Sequence, residues 1–241
     1  MFEGGVVRGL VLLAVLVAGM GAIHPAPSAA ATSTKQEVSF PADDGWIIHA
    51  DAYGAGSKGV VLVHGGRFTK ESWEKQAQAL VKSGYHVLAI DMRGFGSSKE
   101  GPAALNLGYG SPLDVLAAVR YLRETGAKSV SIIGGSMGAN AATGASIESQ
   151  KGEIDALILL AGGEGGPAEE MKGRKLFVVT RDDAGPAGPR IQKIREQFAK
   201  APKPKQLLIL EGSAHAQYIF ETDQGDRLMK EILRFLANRK T

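Results

Sequence analysis

The stretch Val130-Ser131-Ile132-Ile133-Gly134-Gly135-Ser136-Met137-Gly138-Ala139-Asn140-Ala141-Ala142 decides how this chain is read. A β-prone apolar run ends in a glycine-flanked serine, and a run of small, helix-compatible residues follows at once. Gly134-Gly135-Ser136-Met137-Gly138 fits the pattern G-x-S-x-G. In a strand–turn–helix setting, that pattern puts the serine on a strained turn where side chains two positions away would collide. Glycines at 134 and 138 remove those side chains. Among 241 residues holding 32 glycines, chance alone supplies roughly one such match in four chains, so the flanking strand and helix give the motif its weight.

Working outward, further apolar runs lie at 59–63, 87–90, 154–160, 176–179 and 207–210. They are continuous rather than alternating, as strands covered on both faces of a parallel sheet require. Segments 37–40 and 46–53 are separated by Pro41-Ala42-Asp43-Asp44-Gly45. In the second, Trp46, Ile48, Ala50 and Ala52 alternate with Ile47, His49 and Asp51, as in an antiparallel pair at a sheet edge. Between the runs, helical spacing recurs in Trp73, Ala77, Leu80 and Val81, and in Val115, Leu116, Val119 and Leu122. It returns in Ile191, Ile194 and Phe198, and in Leu228, Ile232, Phe235 and Leu236. Ser111-Pro112 opens the second of these helices with a cap and a first-turn proline, and Gly126 closes it. The alternation predicts an α/β fold: a doubly wound, mostly parallel sheet of eight strands flanked by helices.

Composition narrows the classes. With 44% hydrophobic and 22% charged residues, the chain can bury a core and is no disordered tail. The balance of 28 basic and 25 acidic residues gives +3, too little to argue for nucleic acid. The absence of cysteine excludes a disulfide scaffold, a thiolate nucleophile and a cysteine zinc site. No His or carboxylate cluster has metal-ligand spacing, and no cofactor is expected. At the amino end, Arg8 precedes an apolar run over 9–22, and Pro25, Pro27 and Ser28-Ala29-Ala30-Ala31 follow. This reads as a signal peptide over 1–31, with an uncleaved membrane anchor as the alternative, and one domain over 32–241. Export to the periplasm or beyond is the corresponding expectation.

With the elbow at Ser136 in place, the chain resembles the α/β-hydrolase family, over about residues 36 to 239. Within it, the chain is similar to minimal-lid esterases and to dienelactone hydrolases, although the latter are expected to use the cysteine this chain lacks. The resemblance implies an acid after a late strand and a histidine after the last one. Arg181-Asp182-Asp183 follows the run 176–179, and Glu211-Gly212-Ser213-Ala214-His215 follows the run 207–210. It therefore points to Ser136, Asp183 and His215 as a catalytic triad, with Asp182 and Glu164 as alternative acids. The family often carries glycine after this histidine, where this chain has Ala216. The oxyanion donors implied are the backbone N–H groups of Met137 and of Gly66, the latter in Val63-His64-Gly65-Gly66-Arg67. Asp91-Met92-Arg93-Gly94-Phe95-Gly96-Ser97-Ser98 resembles the family's D-x-R-G-x-G-S loop, which braces the floor of the site.

Other features carry less. Gly54-Ala55-Gly56-Ser57-Lys58-Gly59 matches G-x-G-x-x-G but leads into a strand, so no nucleotide site is expected. His49 and His86 fall in strands, and Lys200, Lys203 and Lys205 are expected in a solvated loop. Only 162–174 separates two strands where lipases insert a lid, which predicts an open site for small, soluble substrates. Phe68, Tyr109 and Tyr218 are expected to line its apolar pocket. The function expected is serine hydrolysis of small carboxylic esters. Alternatives are a peptidase or amidase, an acyltransferase or perhydrolase with the same triad, or a non-catalytic binding protein.

Overall fold

The computed structural model describes residues 1–5, 35–99 and 111–238. The chain divides into Met1–Ala31 and Thr32–Thr241; of the first unit only residues 1–5 are described, without regular structure. The expected leader or anchor thus lies largely outside the described residues. Among them, no helix is long and apolar enough to cross a membrane.

The second unit runs β1 (Gln36–Pro41), β2 (Ile47–Tyr53), β3 (Lys58–Val63), α1 (Glu74–Lys82), β4 (His86–Ile90), α2 (Pro112–Glu124) and β5 (Ser129–Gly135). It continues through α3 (Met137–Glu148), β6 (Ala156–Leu160), β7 (Arg174–Thr180), a two-residue hairpin of β8 (Ala184–Gly185) and β9 (Gly188–Pro189), α4 (Arg190–Lys200), β10 (Lys205–Leu210) and α5 (Gly225–Ala237). Eight strands form one sheet in the order β1-β2-β4-β3-β5-β6-β7-β10. Strands β4 through β10 of that order pair in parallel, and β2 runs antiparallel to both β1 and β4.

Successive residues of the central strands enter opposite cores. Val61, Val63, Ile132, Leu157 and Leu159 pack on one face with Val115, Leu122, Ala142 and Ile194 of α2, α3 and α4. Val60, Leu62, Ile133, Ile158 and Leu160 pack on the other with Ala77 and Leu80 of α1 and Leu228 and Ile232 of α5. Burying each large aliphatic side chain is worth roughly 1.5–3 kcal/mol. That double cover explains why the strand runs lack polar alternation. Ser111 caps α2, its Oγ accepting from the Leu113 N–H at 3.3 Å, with Pro112 in the first turn.

Three local readings change. The run at 154–160 begins as a strand at Ala156 rather than at 154, and β7 reaches back to Arg174, which pairs with Ala156 of β6, while Lys175 pairs with Lys205 of β10. Lys205 is therefore in a strand, and its Nζ donates to the Phe198 and Ala199 carbonyls at the end of α4. Alternation would turn Asp51 outward, yet it is fully buried. The 3-10 turn Lys70–Trp73 covers that face of β2 and brings the buried Lys70 ammonium to 3.8 Å. Desolvation pushes the Asp51 carboxyl up, against the pull of Lys70 and Lys35.

Candidate active site

The chain order of the strands reverses around β3, with β4 on one side and β5 on the other. Open α/β sheets hold ligands at the carboxyl ends of the strands beside such a reversal. Ser136 follows β5 there. Its backbone is left-handed, φ 51° and ψ −111°, and its N–H donates to the Leu160 carbonyl at 2.8 Å. Close packing makes the flanking glycines obligatory. A Cβ at Gly134 would collide with the Gly138 carbonyl, and one at Gly138 with the Val63 and His64 carbonyls.

His215 lies beyond β10, half-buried, with Nε2 2.8 Å from Ser136 Oγ and Nδ1 2.8 Å from Asp183 Oδ2. Asp183 is 1% exposed and directly follows the two-residue turn Arg181-Asp182 at the end of β7. An ionised carboxylate accepts only, so Nδ1 is the nitrogen that donates toward Asp183, and when the ring carries that single proton Nε2 is left to accept from Ser136. The other acid oxygen, Oδ1, lies 3.3 Å from Arg190 Nε. The β8–β9 hairpin returns the chain so that the Arg190 N–H donates to the Asp183 carbonyl at 2.9 Å.

The alternative acids sit elsewhere. Asp182 is exposed, its N–H donating to the Gly212 carbonyl at 2.9 Å. Glu164 is exposed, with one carboxylate oxygen 3.5 Å from Lys193 Nζ. Gly66 and Met137 border the same cleft as Ser136; neither backbone N–H has an acceptor among the described residues. The cleft measures about 580 Å³ and takes its apolar wall from Phe68 and Tyr218, whose ring centroids are 4.9 Å apart. Tyr109 lies outside the described residues. Between β6 and β7 stands one 3-10 turn, Ala168–Glu170.

Strain gathers at this edge. Among the described residues, the non-glycine positions with positive φ are Ser136, Ala161 and Ala216. Ala161 follows β6 and Ala216 follows His215. The left-handed backbone at Ala216, φ 51°, explains why glycine suits the position after the histidine: a Cβ there costs roughly 1–2 kcal/mol. Such strain persists where surrounding contacts over-determine the backbone.

Two supporting residues escape sequence reading. Gln217, 5% exposed, accepts from the Gly65 N–H at 2.6 Å and donates to Ser72 Oγ at 2.8 Å. It ties the histidine loop to the loop carrying Gly66. Asn140 Oδ1 accepts from the N–H groups of Gly163 and Glu164, each at 2.9 Å, and so fixes the loop after β6. The floor behind them is polar but paired. His64 is fully buried; its Nε2 accepts from the Met92 N–H at 3.1 Å and Nδ1 faces the Gly65 carbonyl at 2.8 Å. Burial holds its pKa down, so a neutral ring links the two loops. Asp91 accepts from the Lys70 and Ser97 N–H groups, while Arg93 bridges Asp114 and Asp44.

A family model for the alpha/beta hydrolase fold matches residues 59–241. The chain belongs to the α/β-hydrolase fold family. Among characterised relatives, this α/β-hydrolase is 32% identical over 129 residues to a 2-hydroxy-6-oxononadienedioate/2-hydroxy-6-oxononatrienedioate hydrolase of Cupriavidus pinatubonensis. That match covers 52% of the chain but only 43% of the relative. It is 28% identical over 182 residues to ABHD14B of Rattus norvegicus, named as a candidate protein-lysine deacylase, covering 74% of the chain and 84% of the relative. Among solved structures, the Pyrococcus furiosus esterase Pf2001 superposes with a TM-score of 0.66 at 20% identity, over 84% of this chain and 93% of the other. A dienelactone hydrolase from Anabaena variabilis gives 0.68 at 18%, over 85% and 95%. These likenesses support a hydrolase of this fold, with esterase-like neighbours.

Proposed function

We propose that the protein is a serine hydrolase that cleaves small, soluble carboxylic esters through an acyl-enzyme on Ser136. The observation that carries this is the run of two 2.8 Å contacts, Ser136 Oγ to His215 Nε2 and His215 Nδ1 to Asp183 Oδ2, at the edge of an open cleft. A serine hydroxyl is a weak nucleophile, so His215 takes its proton as Oγ attacks the ester carbonyl. Asp183 holds the ring in the tautomer this requires and stabilises the imidazolium that forms. The N–H groups of Gly66 and Met137 stabilise the oxyanion. When the tetrahedral species collapses, the carbon–oxygen bond to the alcohol breaks and His215 returns the proton to that oxygen. Water, activated by the same histidine, then releases the acid and restores Ser136.

A fluorophosphonate probe tests this directly: the wild type is expected to be labelled and Ser136→Ala not. Labelling that survives in Ser136→Ala would move the nucleophile elsewhere. No labelling of the wild type, with no turnover of nitrophenyl acetate or butyrate, defeats the enzyme reading. The second reading is amide deacylation, favoured by the similarity across 84% of ABHD14B. Acetyl-lysine peptides assayed beside the nitrophenyl esters separate the two. Export rests on the apolar run over 9–22 and the small residues that follow; the amino terminus of protein recovered from the native host tests it.

A further inference from the structure

The cleft that holds Ser136 and His215 has two kinds of wall. One is apolar, led by Phe68 and Tyr218; the other is cationic, built from Arg67 and Arg190. Arg67 stands directly after Gly66, is exposed, and makes no ion pair or hydrogen bond among the described residues. Arg190, with a 33% exposed side chain, borders the cleft while its Nε leans on Asp183 Oδ1. Asp183 is buried behind the wall, in contact with both His215 and Arg190, and no carboxylate lines the cleft itself among the described residues. Of the exposed acids on the loops that follow β6 and β10, Glu164 pairs with Lys193 and Glu211 with Arg181. Arg190 is thus balanced by Asp183, and Arg67 carries the positive charge in this cleft that the hydrolysis of a neutral ester does not use. A guanidinium matches a carboxylate with two parallel N–H donors, and a concave, like-charged wall raises the local concentration of an anionic substrate.

We propose that this cleft selects esters that carry a free carboxylate, with Arg67 pairing to that carboxylate. The inference rests on the serine-hydrolase reading above and names its substrate class. The carboxylate sits on either the acyl chain or the alcohol, and matched pairs of esters distinguish the two. For the acyl side, mono-4-nitrophenyl glutarate is compared with its neutral methyl ester. For the alcohol side, 4-acetoxybenzoate is compared with methyl 4-acetoxybenzoate.

In at least one pair, kcat/KM for the charged member is expected to exceed that of the neutral one by about tenfold at low salt. The ratio should fall as added salt screens the field, because the Debye length drops to roughly 3 Å at 1 M. Arg67→Gln should bring the ratio close to one, and Arg67→Glu should invert it. Fluorophosphonate labelling of each variant confirms that its site is folded. A wild-type ratio at or below one in both pairs overturns the proposal, and so does a ratio that neither variant moves. Turnover of the neutral esters with no preference defeats this inference alone. Absence of both labelling and turnover defeats the serine-hydrolase reading and this inference with it.

Discussion

Ser136 and Asp183 each approach His215 to 2.8 Å, yet the chain holds them by opposite means. The elbow around Ser136 is a backbone device. Gly134 and Gly138 bring β5, α3 and the end of β3 so close that no side chain fits between them. The segment carrying Asp183 is a side-chain device on the surface. Its carboxylate turns inward from an exposed Arg181-Asp182 pair, and a two-residue hairpin returns Arg190 against it. Gly188 in that hairpin has φ +96°, and a Cβ built there meets nothing within 4 Å. Packed interiors do not deform for an extra methyl, whereas an exposed turn can. The nucleophile is therefore placed by the core, and the acid by a loop able to vary around it.

Gly138→Ala should have the largest effect. The new methyl meets two main-chain carbonyls, and the expected result is a loss above about 4 kcal/mol or no folded protein, measured by urea unfolding. A loss under about 1 kcal/mol would show that the elbow has slack. Asp183→Asn should leave the fold intact and lower kcat for a nitrophenyl ester by about 10³–10⁴, because the ring loses its tautomer restraint. Asp182→Asn should change kcat by less than about threefold, as exposed charges contribute little; equal losses would reassign the acid.

The other end of β7 sharpens the contrast with a stability measurement. Lys175 is 1% exposed, its Nζ reaches only the Met171 carbonyl, at 3.4 Å, among the described residues, and burial together with Lys205 holds its pKa down at about 8. An unfolded lysine titrates near ~10.4. Between those values the unfolded chain binds the extra proton, so stability rises with pH across the window, and below about 8 the full penalty is present. Lys175→Met should therefore stabilise the protein by up to about 3 kcal/mol at pH 7, with the gain shrinking toward pH 10. Denaturant midpoints at the two pH values measure this, and a pH-independent gain would contradict it. The smallest of the stability effects belongs to Gly188→Ala, about 1 kcal/mol from its left-handed backbone alone. A loss as large as that of Gly138→Ala would erase the distinction between the two regions.

The alternation of strands and helices, the two-sided burial of the central strands and the elbow around Ser136 are legible in the chain's residues alone. These follow from side-chain periodicity and backbone sterics, which act over a few residues. The same local rules brought a histidine and a pair of aspartates to the ends of the last two long strands, and stopped there. Whether Asp182 or Asp183 turns inward depends on the Asp182 N–H engaging Gly212 across the neighbouring strand end. Gln217 reaches Gly65 over 152 positions, and Lys70 buries against Asp51 because a 3-10 turn folds over β2. Alternation could not foresee that cover. Ala216 marked a departure from the family's glycine, but only its left-handed φ gives that glycine a reason. Tertiary structure decided these points because each depends on where a crossover sets one strand end beside another, and no spacing along the chain encodes that distance.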